Sequence, residues 1–393
     1  MSGPLSGIRV IDFSQVIAGP YGSAVLADEG ADVVKVEPLT GEMWRQGGGA
    51  SFYSFNRGKR SLPLNLQSDE GQEVFHRLAD WADVLVENFR PGVMQRLKVD
   101  YETLKQRNPK LIYVSVTAFG TDGPYAHRPG FDPLLQAMTG TERAQGGRHN
   151  PPVFLRIPIT DDVTGLLQAA SITMALYKRE RTGHGEHLNL SLLRSGLFIN
   201  ADAFTRYEGR PERPLPDAGQ NGLSPLDRMY QCSDGEWLFL LVEADEERWR
   251  RFVGIEGLGL LSLDPRFADA KSRAENAEEL ATSIEAAFKE NTAAHWLGLL
   301  EAANVPSAPV VTGYDRLFWE DVQPIVNQHV VRMEHPERGH MEMDGNLISF
   351  SETPADGEIR ATPLLGQHTR EILRELGFND RAIDRFKATG VTI

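Results

Sequence analysis

Two adjacent carboxylates, Asp161 and Asp162, stand where the run Arg156-Ile157-Pro158-Ile159-Thr160 gives way to Val163-Thr164-Gly165-Leu166-Leu167. Val163, Leu166, Leu167, Ala170, Met174 and Tyr177 recur at three- and four-residue spacing, which predicts a helix that buries this face and begins near Asp161. One role for such an aspartate is to cap the free backbone N–H groups of the first turn. The other, compatible with it, is covalent catalysis. An exposed carboxylate with an ordinary pKa of about 3.9 is ionised at neutral pH and needs no base to act as a nucleophile. Two further clusters carry chemistry. Arg57, Lys59 and Arg60 surround Gly58, as a solvated loop or a local anion site, and Asn88-Phe89-Arg90, with Arg96 close behind, ends an apolar strand.

The chain has 393 residues, 41% hydrophobic and 24% charged, enough to bury a large core and to form two domains. A net charge of −14 opposes a nucleic-acid partner, because neutralising phosphates along a duplex takes a basic face. The single cysteine, Cys232, cannot form an internal disulfide, which fits a reducing cytosol. Met1 to Leu5 lacks a basic region before an apolar core, and no later apolar run approaches a bilayer span. Cytoplasmic localisation without a membrane partner is the expectation.

The elements that must position these residues begin with a β-rich run from Gly7 to Phe13, a Gly/Pro loop from Ser14 to Pro20, a helix from Tyr21 to Glu29 and the apolar strand Asp32 to Glu37. Strand, helix, strand opens a doubly wound parallel sheet, and an α/β fold follows. Glu37 lies where a ribose-binding acid would follow a dinucleotide loop, but the only loop glycines are Gly19 and Gly22 with Pro20 between them, so NAD is not expected. Ser68 caps a helix through Val74, Phe75, Leu78 and Ala82. Further strands are read at Asp83 to Glu87, Leu111 to Val116 and His187 to Ser191. In open α/β sheets ligands gather at the carboxyl ends of strands, which places Asn88, Phe89 and Arg90 on a cleft. Prolines and glycines between 208 and 225 mark a linker, so the division reads 1–207 as a large α/β domain, 226–312 as a small α+β domain and 313–393 as a return connection with C-terminal helices. The small domain opens on a hairpin of Met229 to Gln231 and Glu236 to Leu241 about the turn Ser233-Asp234-Gly235.

With these residues in place, the chain resembles the family III CoA-transferases, the CaiB/BaiF group that includes formyl-CoA transferases. Ordered matches run from Gly7-Ile8-Arg9-Val10-Ile11-Asp12 and Ala18-Gly19-Pro20 through Gly30 to Glu37, Asn56 to Ser61, Glu87 to Gly92 and Gly130-Phe131-Asp132, to Thr182-Gly183-His184-Gly185, Asp264-Pro265-Arg266-Phe267 and Pro363 to Thr369. The resemblance implies a large Rossmann-like domain, a smaller domain and two chains interlocked as a homodimer. It implies Asp161 as nucleophile, four residues before Gly165, and a CoA cleft lined by Val16, Ile17, Ala18, Pro38, Leu64, Asn65, Leu66, Gln67, Asn88, Phe89, Arg90, Arg96, Arg128 and Phe131. Acyl-CoA and a carboxylic acid are then the substrates, exchanged through an aspartyl anhydride and an aspartyl-CoA thioester with no covalently bound cofactor and no metal. Ile17, Trp44 and the Gly47 to Gly49 loop would shape the acyl pocket together with the second domain. The chain departs from the formyl-CoA branch at Thr160, usually glycine, at Ile17, there glutamine, at Pro38, there basic, and in a missing glycine run of which Gly219 and Gly222 remain; these departures argue against oxalate as the acid. Two other readings stay open. An acyl-CoA racemase of the same superfamily would need a histidine where Phe131 stands, with His127 as the available substitute, and a non-catalytic CoA-binding protein would need no nucleophile at all.

Overall fold

Strands of a parallel sheet covered on both faces are largely apolar, and Val10-Ile11, Val33-Val34, Val84-Leu85-Val86 and Ile112-Tyr113-Val114 are such runs in the first half of the chain. In the computed structural model, which describes residues 3–47, 49–243, 245–313, 317–354 and 360–393, β1 (Arg9–Phe13), β2 (Asp32–Glu37), β3 (Arg60–Pro63), β4 (Val84–Glu87), β5 (Ile112–Thr117) and β6 (His187–Ser191) form one sheet in the order β3-β2-β1-β4-β5-β6. Every pairing in it is parallel. This is the doubly wound order, and its direction reverses between β1 and β4. One face carries a core of Phe75, Leu78, Leu104, Ile372 and Ile383, the other a core of Val25, Ile172, Ala175 and Leu192. The sheet belongs to a unit of residues up to Thr139, Arg156–Ala201 and Val322–Ile393.

The second unit, Gly140–Leu155 with Asp202–Asp321, has its own core around Tyr230, Phe252, Phe288 and Trp296. Its antiparallel sheet, β10-β9-β8-β7, joins β7 (Gly222–Ser224), β8 (Asp227–Gln231), β9 (Trp237–Leu241) and β10 (Ser307–Val310). β8 and β9 pair as the expected hairpin. The contacts group 140–155 with this unit, whereas the sequence reading leaves them in the first domain. Within the return segment, β11 (Val330–His335) and β12 (Gly339–Asp344) form a hairpin that the sequence reading covers only as part of the return connection.

Two expectations are corrected by packing. The Ile159–Thr182 helix buries Thr160, Thr164, Gly165, Gln168, Ala169, Ile172, Ala175 and Leu176, while Leu166, Leu167, Met174 and Tyr177 are exposed. The face with the bulkier apolar side chains is outside because the helix lies close against the Ala18–Asp28 helix, and only small residues permit that approach. A Cβ on Gly165 would meet the Tyr21 ring at 2.9 Å and the Ala18 carbonyl oxygen at 3.2 Å, and one on Gly22 would meet the Gly165 carbonyl oxygen at 2.7 Å. The basic cluster at 57–60 is likewise no solvated loop and no open anion site, since Arg57, Lys59 and Arg60 are all buried. Arg57 is paired with Asp28 at 2.8 Å, Lys59 with Asp12 at 2.7 Å and Arg60 with Asp32 at 2.7 Å. Burial alone would raise the Asp12 carboxyl, but Lys35 and Lys59 outweigh it and hold the group well below the usual range. Glu37 also serves the structure, accepting Arg45 Nε at 2.8 Å and Nη2 at 2.7 Å.

Candidate active site

The reversal of strand order splays the loop after β1 away from the loop after β4, and a cavity of about 270 Å³ opens between them. Gln15, Val16, Ile17 and Ala18 line it from the first loop, Asn88, Phe89, Arg90 and Pro91 from the second, and Arg128, Gly130 and Phe131 from the segment after β5. Asp161 is the one carboxylate that lines it among the described residues.

Asp161 reaches this place by helix geometry. It is the third residue of the Ile159–Thr182 helix, one turn before Gly165 on the same face, so the close approach at Gly165 delivers its carboxyl beside the start of the Ala18–Asp28 helix. It does not act as the cap. Pro158 occupies that position without a side-chain bond, and the cap is supplied across the fold by Asp132, whose Oδ1 accepts Thr160 N–H at 2.8 Å, Thr160 Oγ1–H at 2.5 Å and Asp161 N–H at 3.3 Å. Gln136 Nε2 donates to Asp132 Oδ2 and, at 2.9 Å, to the Ile157 carbonyl. Asp162 N–H is taken by the Pro158 carbonyl at 2.9 Å.

The electrostatic consequence corrects the expectation of an exposed, ionised nucleophile. Asp161 is 8% exposed, and burial first, then the charges of Asp132 and Asp162, push its carboxyl up to about 8. Asp162 is raised to about 6 by burial and by Asp132. The Asp161 carboxylate has no hydrogen-bond donor among the described residues. The protonated form is then favoured at neutral pH, and the ionised fraction carries a more basic oxygen than an ordinary aspartate.

Of the fourteen residues expected at a CoA cleft, Val16, Ile17, Ala18, Asn88, Phe89, Arg90, Arg128 and Phe131 meet around this cavity with Asp161. Pro38, Leu64, Asn65, Leu66, Gln67 and Arg96 are not among its lining. Leu64 and Leu66 are buried in the core beneath the sheet, and Asn65 bonds the Gly390 carbonyl and the Gln67 N–H. Pro38, Gln67 and Arg96 are on the surface. Asn88 has its amide occupied: Oδ1 accepts Gln15 N–H at 2.9 Å and Nδ2 donates to the Gln15 carbonyl at 2.7 Å. Phe89 leans on Phe13 with ring centroids 4.7 Å apart, and the Arg128 guanidinium lies 3.9 Å from the Tyr125 ring centre. Of the expected acyl-pocket residues, Trp44 is half-buried and Gly48 lies outside the described residues; Met43, not anticipated, lines the cavity. The capping role of Asp132 is not legible in the sequence, because it spans 28 residues. A larger cavity of about 990 Å³, beside β11 and residues 360–368, contains none of the residues expected at the CoA cleft or acyl pocket, although Lys59 lines it.

A model of the family described as CoA-transferase family III matches residues 5–369. Succinyl-CoA:glutarate CoA-transferase of Mus musculus is 32% identical over 99% of this chain and 90% of its own length. Acetyl-CoA:oxalate CoA-transferase of Acetobacter aceti is 33% identical over 95% of this chain and 96% of its own. The crystal structure of a CaiB/BaiF family protein from Brucella suis superposes with a TM-score of 0.82 at 30% identity, covering 96% of this chain and 100% of the other. With this match over nearly its whole length, the chain belongs to CoA-transferase family III, enzymes that act on CoA thioesters and carboxylates.

Proposed function

We propose that the protein transfers CoA from an acyl-CoA to a carboxylic acid with Asp161 as the temporary acyl carrier. The observation that carries this reading is the position of Asp161 as the single carboxylate, among the described residues, lining the switch-point cavity. The ionised carboxylate attacks the thioester carbonyl; the C–S bond breaks, and an aspartyl anhydride and CoA thiolate result. The thiolate attacks the aspartyl carbonyl of the anhydride, releasing the donor acid and leaving an aspartyl-CoA thioester. The acceptor carboxylate attacks that thioester, expelling thiolate, and the thiolate takes the acceptor acyl group from the second anhydride. Thiolate and carboxylate are each restored, so no external proton or electron is consumed.

Charge develops on the attacked oxygen in each step, and backbone N–H groups must meet it. The donors of the Asp161 helix are turned toward Asp132 and Pro158. The start of the Ala18–Asp28 helix, whose Ile17 cap position carries no side-chain bond, supplies donors on the cavity side instead. The helix donors therefore do not quench Asp161.

The rival proton-transfer reading is weaker. Phe131 cannot move a proton, and His127 is not among the cavity-lining residues. We also propose that a second copy of the chain covers the exposed Leu166, Leu167, Met174 and Tyr177 face, in keeping with the interlocked dimer that the resemblance implies. Hydroxylamine added during turnover should trap an Asp161 hydroxamate identifiable by peptide mass. Asp161→Ala should abolish both the adduct and exchange while free CoA still binds. Undiminished exchange by that variant refutes the assignment.

A further inference from the structure

The loop joining β1 to the Ala18–Asp28 helix is held in an unfavourable shape. Val16 has φ +71°, in the left-handed region, where a β-branched side chain crowds its own backbone. Such a conformation persists only where the surroundings over-determine it. Three residues of the loop are pinned. Ser14 N–H donates to Asp12 Oδ1 at 3.1 Å, and Lys35 Nζ donates to the Ser14 carbonyl at 3.0 Å. Gln15 is clamped on both sides by Asn88. Val16 N–H points to Glu42 Oε2 at 3.5 Å, and the same oxygen accepts Trp44 N–H at 2.8 Å. Lys35 Nζ stands 3.9 Å from Glu42 Oε1 as the countercharge. Glu42 is 3% exposed and does not line the cavity, whereas Val16 and the adjacent Met43 do.

We propose that Glu42 is a positioning residue for acyl transfer, stapling the Met43-Trp44 turn to Val16 and so holding the Val16-Ile17-Ala18 turn in register with Asp161. Neither wall can shift without breaking a bond to one buried oxygen. The inference rests on the reading that Asp161 reacts in this cavity.

The test follows hydroxamate formation at Asp161 with succinyl-CoA and acetyl-CoA, the donors named for two relatives, at saturating donor, with binding of free CoA measured by calorimetry. Glu42→Ala should slow labelling by about 100-fold, the cost of misplacing a reacting group by about an ångström, while the Kd for free CoA moves by less than about threefold. Glu42→Gln keeps an oxygen for both N–H groups and should recover to within about tenfold of wild type. Glycine adopts the left-handed conformation without strain, so in a Val16→Gly background Glu42→Ala should cost less than about tenfold. A wild-type rate in Glu42→Ala, a Glu42→Gln variant as slow as Glu42→Ala, or an undiminished cost beside Val16→Gly each overturns the proposal. Should Glu42→Ala fail to fold, Glu42→Asp, too short to reach both N–H groups, takes its place with the same readouts. Labelling that survives Asp161→Asn would count against the nucleophile and not against Glu42, whose cycle is then read on turnover.

Discussion

Asp161→Asn removes one ionisable group and almost no volume, and its effect on stability must depend on pH. The carboxyl is raised from 3.8 to about 8. A gap of roughly four pH units at ~1.4 kcal/mol per unit sets a ceiling of ~6 kcal/mol on what its charge costs the folded chain. The group opens on a cavity that admits water, and screening there reduces the expected cost to ~2 kcal/mol. Below pH 3.8 both folded and unfolded chains hold the proton, so the charge costs nothing. Between 3.8 and 8 the folded chain keeps a proton that the unfolded chain has released, and stability falls as pH rises; above 8 the loss is complete. Asparagine abolishes that slope. Urea unfolding at pH 5 and pH 9 should show the variant gaining ~2 kcal/mol on wild type between the two conditions, equivalent to about 2–3 °C in Tm for a chain of this length. Parallel pH curves for the two proteins would refute the argument that an uncompensated charge is buried at this point. The same carboxyl predicts labelling by hydroxylamine that rises about tenfold per pH unit up to about pH 8 and then levels.

Asp132→Asn retains an acceptor for the Thr160 and Asp161 N–H groups but removes a charge that raises Asp161, so the midpoint of the pH–rate profile should move to lower pH by several tenths of a unit; a midpoint that stays in place or rises refutes the coupling. Arg57→Met leaves Asp28 buried without its partner and should cost ~3 kcal/mol in urea unfolding with no change in the affinity for free CoA, whereas a phosphate-binding arginine would lose affinity at little cost in stability. Met174→Glu places a charge at the middle of the exposed apolar helix face and should shift sedimentation from dimer to monomer; a variant that sediments like wild type removes this face from the proposed interface.

What could be read from sequence was whatever is decided within a few residues. Asp32 to Glu37 is a strand with the expected ends, and Ser68 caps the Asp69–Trp81 helix through Gly71 N–H. The hairpin at Ser233-Asp234-Gly235 follows from its own turn chemistry. The Asp161 helix was located, but its buried face was chosen by apolar content, and content is a poor guide when the partner is another backbone. Gly165 and Gly22 admit that backbone, so small and polar side chains are inside there and Leu166 and Leu167 are left outside. The cations at 57–60 were misjudged for a related reason, because their partners Asp12, Asp28 and Asp32 lie 28 to 47 residues away and composition alone cannot pair them.

The state of Asp161 belongs to the same class of non-local facts, and it alters the chemistry required of the site. An aspartate presented by a helix start in water would be ionised but weakly basic, and bonds from its own helix would weaken it further. Here Asp132 takes those helix donors, and burial keeps the carboxyl near 8. In the proposed reaction, a cap provided from another segment separates two demands that one helix terminus would otherwise set against each other: donors for a developing oxyanion would come from the Ala18–Asp28 helix, and the attacking oxygen would be left without them. If that separation is the purpose of Asp132, restoring a donor to Asp161 should cost more than removing the cap does. Leu192, which lines the same cavity, offers the position: Leu192→Asn should lower the pH midpoint of labelling and slow its maximal rate together, and a lowered midpoint with a faster maximal rate would show that basicity was never limiting.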